Sequence, residues 1–552
     1  MSSAAGNLQR NIYRVPFSGA KSTIPDKETV GSKAHNLMRM AACGLPVPPA
    51  FVLATDVCRG YLKHGATGIA GLSEAISREL EELGSLTNSE FGGGRRPLLV
   101  SVRSGAAISM PGMMETVLNV GLNSTTLDGL IRTTGNPRLA ADCRRRFVQQ
   151  YGEVVEGISP AAFVRSEAEF LKAEGARSID ELDTAGLNHL AQSFERVFEV
   201  ECGHRLPADP MHQIAAAVEA VLKSWSSDRA RTYRQMNGIS EALGTAVIVQ
   251  VMVFGNIGPS SGSGVGFTRN PANGRNELYV DFLANAQGED VVGGRRTAGR
   301  LQDLAQRAPE AHAALIKARD LIEREFSDMQ DFEFTVERGR LLMLQSRVGK
   351  RTPLAALRIA NDLVMEEMIT SHEALARLSD IVVDDIGEDR LCLHDSETPI
   401  AHGTAAGSGV AVGSAVFDIS RLHAMRESGQ PVILVRETAE TGEIEALAAA
   451  AAIVTVQGAR TSHAAVVARQ LGKPCVVGCG SIIIAPSLRA AAATGHTISE
   501  GDVISVDGST GEIFAGHHDV IRERPADLLQ RVQAWRESAG AVHAANRPLR
   551  RR

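Results

Sequence analysis

What the chain has little of narrows its chemistry first. Seven cysteines among 552 residues are an odd number and too sparse for a disulfide framework, which points to a reducing cytoplasm. Cys475 and Cys479 stand close together, yet no second pair or histidine cluster accompanies them, so they read as packing thiols rather than metal ligands. The opening residues, Met1 to Asn7, lack the basic start and apolar core of a signal peptide. The longest apolar run, Ala446 to Val456, falls well short of the roughly 20 residues of a membrane span. Excess positive charge is missing too. A formal net charge of -6 argues against nucleic acid as the main partner, and the basic end, Arg547 with Arg550 to Arg552, reads as a solvated tail. A hydrophobic content of 44% and a charged content of 22% are ordinary for a soluble globular protein, and the length allows three or four domains.

Among what is present, one stretch organises the rest. An apolar segment, Ala452 to Val456, predicts a buried strand; after the Gly458 turn, Thr461 and Ser462 are good helix N-caps, and an apolar helix runs on until Gly472 and Pro474 stop it. His463 is therefore expected in the first turn of a helix, where free N–H groups and the positive dipole end favour an anion. A neutral imidazole there could attack phosphorus and find donors waiting for the product.

Upstream, Val30-Gly31-Ser32-Lys33 reads as a glycine turn entering a helix, with Lys33 placed to meet a phosphate. The strand Leu98 to Val102 leads into Arg103-Ser104-Gly105 and the loop Ser109 to Thr116, a guanidinium fork beside a Gly/Ser/Pro loop that suits phosphate. From about Leu127 to Ser240 the pattern is helical and amphipathic, and the triplet Arg144-Arg145-Arg146 reads as a solvated helix face. The glycine-rich loop Gly255 to Gly266 lacks the spacing and the lysine of a P-loop. A hairpin is predicted with Phe332 to Val336 going out, Glu337 to Arg340 turning and Leu341 to Gln345 returning. Period two puts Gln345 and Arg347 on one face and brings Glu333 near it, a set suited to Mg²⁺ and a polyphosphate.

The string Thr461-Ser462-His463-Ala464-Ala465-Val466-Val467-Ala468-Arg469, followed by Gly472 to Val476, resembles the phosphohistidine signature of the pyruvate phosphate dikinase family. Ser101 to Gly105 with Met110 to Met114, Asn285 to Val292, and Leu344 to Thr352 resemble that family's nucleotide-binding region. The resemblance implies a multidomain α+β and α/β protein: an ATP-grasp-type nucleotide-binding domain over 1–352 with a helical insertion at about 127–240, a helical linker over 353–399, a swivelling β/β/α phosphohistidine domain over 400–517, and a C-terminal helix and basic tail over 518–552. It makes His463 the phosphate carrier with Thr461 beside it, and puts Lys33 and Arg103 on ATP phosphates. Glu333 and Gln345 fall at the metal, Arg347 and Gln345 at the phosphates, and Glu289 and Asp290 near the ribose or phosphates. Four departures from the family pattern stand out. Ala107 replaces a usual arginine, Arg460 a usual methionine, Ala405 to Val410 vary a turn, and Thr438 to Ile444 lack a proline and paired acids.

Implied activity follows the family: ATP with Mg²⁺ loads His463 and phosphate completes the transfer, releasing AMP and pyrophosphate; pyruvate or another small acceptor then takes the phosphoryl group. After Gly516 only one helix-like segment remains, too little for the family's (β/α)₈ acceptor barrel of about 250 residues, so a truncated form working with a separate barrel protein is expected. A rifampin-phosphotransferase-like enzyme is the second reading, disfavoured by the short connector, and a phosphocarrier or regulatory protein the third. A homodimer is a further implication of the resemblance.

Overall fold

The computed structural model describes residues 11–15, 24–108, 110, 114–292, 301–394, 397–426, 429–439, 443–458, 460, 462–485, 490–493 and 495–545. They divide into two compact units, Met1–Ile257 with Leu342–Ser346, and Gly258–Leu341 with Arg347–Arg552.

The first unit is built on a five-stranded sheet in the order Ile12–Val15, Ala50–Leu53, Thr245–Val251, Val100–Ala106, Thr116–Val120, antiparallel throughout. Val100–Ala106 is buried along its whole length except at Arg103. Six helices of at least nine residues follow between Ser124 and Met236. Their ends are set by local chemistry: Asn123, Asn136, Asp183 and Ser227 side chains accept from first-turn amides, and glycines in the left-handed conformation close three of the helices at 135, 175 and 203. Phe147, Tyr151, Phe163, Phe194 and Phe198 are buried between the helices Pro137–Val154, Pro160–Glu174 and Thr184–Cys202.

The arginine triplet on the first of these helices is not a solvated face. Asp142 bonds Arg145 at 2.9 Å and Arg146 at 2.9 Å, with Asn256 Nδ2 donating to it at 2.8 Å; Arg145 and Asp142 are buried, and Arg144 pairs with Glu195. The triplet reads as solvent-facing in sequence because its acid, one turn earlier at position 142, was not paired with it.

In the second unit a four-stranded sheet runs in the order Arg340–Val348, Gln330–Glu337, Gly262–Phe267, Tyr279–Ala284, the first of these being the strand whose middle residues group with the other unit. Part of the expected glycine loop is thus a strand. A Cβ on Gly262, Gly264 or Gly266 would come within 2.6 Å of the rings of Phe282, Phe334 and Phe332 respectively, so the glycines make room for aromatic rings laid across the strand. Each such buried ring contributes about 2 kcal/mol. The hairpin turns at Arg338 and Gly339, with φ of 50° and 80°, as a two-residue turn with both φ positive requires.

Beyond it, helices Pro353–Met365 and Ser371–Arg377 pack with the C-terminal helix Ala526–Ala545 through Leu357, Leu363, Ala374, Leu528 and Val532, and Glu388–Leu391 pairs with Val520–Glu523. Connector and C-terminal segment are therefore one packed layer. Between them in sequence lies an eight-stranded mixed sheet, ordered Ala401–His402, Glu512–Ala515, Val503–Asp507, Val410–Val416, Val432–Arg436, Ala452–Thr455, Cys475–Val477, Thr404–Gly407. No helix of the described residues is long and apolar enough to cross a membrane.

Candidate functional site

Helix Lys27–Ala42 begins four residues before the glycine expected to open it, capped by Asp26, and is broken at Gly31 (φ 77°, ψ 156°). The break has a steric cause: a Cβ at Gly31 would lie 1.9 Å from Gly105 O, so only glycine lets the helix press on the end of strand Val100–Ala106. Ser32 Oγ donates to Ala106 O at 2.9 Å, and Lys33 Cβ is 3.8 Å from where a Gly105 side chain would start. Two residues before Gly105 on that strand, Arg103 Nη2 stands 3.5 Å from Gln345 Oε1, and Asn36 Nδ2 donates to Ser346 O at 2.8 Å. Lys33, Arg103 and Gln345 are thus gathered in the first unit. Of the loop after Arg103, residues 109 and 111–113 lie outside the described residues.

A second group forms on the hairpin. Arg347 Nε and Nη2 both reach Asp331 Oδ2 at 2.7 Å, which leaves Asp331 Oδ1 to other donors. Burial pushes the Asp331 carboxyl above its ordinary value, only partly offset by Arg347, and Glu333 adds to the rise. Burial opposes the Arg347 charge, but the Asp331 and Glu333 carboxylates outweigh it and hold its pKa above the usual value. Sequence reading missed Asp331. The signal was there, since it sits two residues before Glu333 on an alternating strand and so shares its face. Asp331 and Glu333, two carboxylates on one strand face, are hard oxygen donors of the kind that Mg²⁺ takes, so this pair fits that ion.

Glu289 and Asp290 fall on the five-residue helix Gly288–Val292, where Asp290 Oδ2 accepts from Gln287 N at 2.9 Å. That carboxylate closes a turn, which accounts for an acid there without a nucleotide.

His463 opens helix His463–Leu471, which follows strand Ala452–Thr455, parallel to both its neighbours. Its N-terminus therefore faces the carboxyl end of a central parallel strand, and Gly472 in the left-handed conformation ends it. Ser462 is the N-cap but makes no side-chain cap bond. Its Oγ and Thr455 Oγ1 are both buried without a hydrogen-bond partner among the described residues, and both lie within 3.5 Å of where a Gly458 Cβ would sit. Thr461 and the side chain of His463 lie outside the described residues. Arg460 is turned onto Tyr279, its guanidinium carbon 3.7 Å from the ring centroid, while Tyr279 Oη donates to Ala405 O at 2.5 Å. Arg460, which stands where the family usually has methionine, thus sets its charge against an aromatic ring. Cys475 and Cys479 are wholly buried and burial pushes both thiols up to about 12, the behaviour of packing residues.

Two family descriptions match the chain: "Pyruvate phosphate dikinase, AMP/ATP-binding domain" over residues 69–308, and "PEP-utilising enzyme, mobile domain" over residues 429–511. Among relatives, "Pyruvate, phosphate dikinase" of Rhizobium meliloti (strain 1021) is 40% identical over 544 residues, covering 96% of this chain and 60% of the relative. The protein of the same name from Clostridium symbiosum is 41% identical over 518 residues (92% and 59%), and "Pyruvate, phosphate dikinase 1, chloroplastic" of Arabidopsis thaliana 39% over 539 residues (97% and 56%). The chain is homologous to pyruvate, phosphate dikinases, a phosphotransferase enzyme family, and spans about 60% of the length of these relatives.

Proposed function

We propose that this chain is the nucleotide-binding and phosphohistidine part of a pyruvate phosphate dikinase-like phosphotransferase. What carries the reading is the position of His463 at the start of a helix behind a central parallel strand, in a chain that also holds the cation and acid groups at Lys33, Arg103, Asp331, Glu333, Gln345 and Arg347.

A neutral imidazole nitrogen of His463 attacks the β-phosphorus of ATP; the bond from that phosphorus to the α–β bridging oxygen breaks, and AMP leaves. Inorganic phosphate then takes the outer phosphoryl group as pyrophosphate, and phosphohistidine remains. Such transfers need positioning and charge neutralisation more than covalent help, which is what Lys33 and the guanidinium groups of Arg103 and Arg347 supply. Mg²⁺, with Glu333 and Gln345 as its proposed ligands, would neutralise phosphate charge. Helix-terminal amides ahead of Ala464 and Ala465 receive the phosphoryl oxygens. Glu289 and Asp290 would lie near the ribose or the phosphates, and Thr461 at the carried phosphate.

An ATP-grasp-type domain and a swivelling phosphohistidine domain, in the ranges expected above, are the architecture this mechanism needs. Pyruvate as acceptor, a barrel module outside these 552 residues, a homodimer and a cytoplasmic setting complete the proposal. Incubating the chain with ATP labelled at the β-position, with and without phosphate and Mg²⁺, tests it. Acid-labile, base-stable label on wild type and none on His463→Asn, with nucleotide binding retained, is the expected result; label retained on His463→Asn means another residue carries the phosphate.

A further inference from the structure

The first unit holds a group of side chains that phosphoryl transfer does not use. Glu156, Cys202 and His204 each offer a ligand atom, and the three atoms lie within 4.8 Å of one another. We propose that these residues form a site for a transition-metal ion of the Zn²⁺ class.

Its geometry is set by the fold. Helix Pro137–Val154 ends just before Glu156, and helix Thr184–Cys202 ends on Cys202 itself, with Gly203 (φ 73°) turning the chain so that His204 comes back beside it. Two helix carboxyl ends meeting at one point place negative dipole ends around the site, which favours a cation. The His204 ring is fixed on two sides: it stands edge-on to Phe198, ring centroids 5.8 Å apart, and Nδ1 lies 3.1 Å from Arg205 O. A carbonyl can only accept, so in the neutral ring Nδ1 carries the proton and Nε2 the lone pair. Nε2 points to Glu156 Oε2, 3.7 Å away. A histidine whose far nitrogen is tied to a backbone carbonyl is the arrangement that orients a metal-ligating imidazole.

Tetrahedral zinc, with ligand bonds of about 2.0–2.3 Å, needs donor atoms about 3.5 Å apart. The histidine–glutamate pair, at 3.7 Å, is close to this, and the thiol of Cys202, within 4.8 Å of both, can approach by a side-chain rotation. One thiolate, one imidazole and one carboxylate make a mixed set in which water completes the tetrahedron. Burial, with Glu156 and Glu201 nearby, holds the Cys202 thiol above its ordinary pKa, so the ion must displace that proton as it binds. Bound there, it would clasp the ends of two helices that share the aromatic core.

The test is Co²⁺ and Zn²⁺ titration of the full chain in a non-thiol reductant, with excess Mg²⁺ present to occupy oxygen-only sites. Wild type is expected to take up one equivalent of Co²⁺ with a thiolate charge-transfer band that Zn²⁺ abolishes. Cys202→Ser should lose the band, and Cys202→Ser and His204→Ala should each weaken Zn²⁺ binding at least about 100-fold, with Glu156→Gln weakening it about tenfold. Absence of the band in wild type, or Zn²⁺ affinity unchanged in folded Cys202→Ser and His204→Ala, overturns the proposal and leaves the three residues as a surface ion pair beside a thiol.

Discussion

The guanidinium of Arg460 lies over the ring of Tyr279, 3.7 Å from ring centroid to Cζ, joining the loop before His463 to the strand Tyr279–Ala284. The Tyr279 hydroxyl also donates to Ala405 O, and Ser408 Oγ donates to Ala272 O at 2.9 Å, which makes three contacts between the 404–460 stretch and the 272–279 stretch. Burial pushes the Tyr279 hydroxyl up to about 12, and it stays protonated as a donor throughout the neutral range.

Replacing Arg460 by methionine removes the one charged contact of the three. A cation–π pair of this kind is worth about 1 kcal/mol, or roughly a fivefold change in a local opening equilibrium. Amides of helix His463–Leu471 should exchange about fivefold faster in Arg460→Met, with strand Val100–Ala106 unchanged. Equal exchange in the two proteins would mean that the stacking does not hold the loop.

The Asp331–Arg347 pair predicts unequal effects from its two halves. Arg347→Met removes a phosphate donor and leaves a buried carboxyl whose pKa is already raised by burial, so that carboxyl goes over to the neutral acid more readily. Labelling of the chain by ATP should fall about 100-fold or more. Arg347→Lys keeps the charge but loses the two bonds to Oδ2, and should recover only part of the rate. An initial labelling rate within twofold of wild type in Arg347→Met would make the pair structural.

How far these features could be read in advance depended on whether partners were local. The strand, turn and cap sequence around His463 is contiguous, and the helix starts at that residue. The hairpin turn at Arg338 and Gly339 is equally local. Partners supplied from afar were invisible. Tyr279 lies 181 positions before Arg460, and Asn256 lies 114 after Asp142, so neither contact has a periodicity to betray it. Gly31 was legible as a turn residue, but its neighbour is Gly105, and only the fold shows that backbone rather than ligand occupies the space its missing side chain leaves.

Asp142 gives a pH signature. Burial alone would raise its pKa, but Arg146 and Arg145 override that and hold it well below the ordinary carboxylate value. A folded pKa below the unfolded one, about 3.9, stabilises the chain fully above that value and is lost as pH falls through the folded one. Asp142→Asn should cost about 3–5 kcal/mol at pH 7, because the buried Arg145 and the half-buried Arg146 lose this counter-ion. The gap in urea midpoint between wild type and variant should then shrink steadily below pH 4; a gap constant down to pH 2 would contradict this.

In the second unit, Arg269 is wholly buried and meets Glu323 at 2.7 Å, Asp362 at 3.2 Å and Glu366 at 2.5 Å, tying strand Gly262–Phe267 to helix Pro353–Met365. Arg269→Met fills the volume but leaves Glu323, itself 5% exposed, without its cation. A loss of about 3–5 kcal/mol is expected from equilibrium denaturation. Arg269→Met with Glu323→Leu should recover much of it, since apolar replacement of both partners is often neutral. Failure of the double variant to recover would show that Asp362 and Glu366 carry the cost.

Ser462 separates stability from chemistry. A serine at a helix N-cap ordinarily contributes about 1 kcal/mol through its bond to a first-turn amide, and here that bond is absent. Ser462→Ala should therefore change the unfolding midpoint by less than about 0.5 kcal/mol. Its hydroxyl is buried beside the start of the phosphate-accepting helix, and that of Thr455 across Gly458 is in the same condition; neither bonds any described group. A buried hydroxyl without a partner costs stability unless an acceptor arrives at some stage of the cycle, and phosphoryl oxygens on His463 are the acceptors within the proposed chemistry. Loss of one such donor to developing charge slows a transfer by about tenfold to a thousandfold. Single-turnover labelling of Ser462→Ala should thus be at least about tenfold slower at an unchanged melting temperature, with Thr455→Val behaving alike. Normal labelling in both variants would remove the hydroxyl pair from the reaction, and a large drop in melting temperature would assign Ser462 a capping role that the structure does not give it.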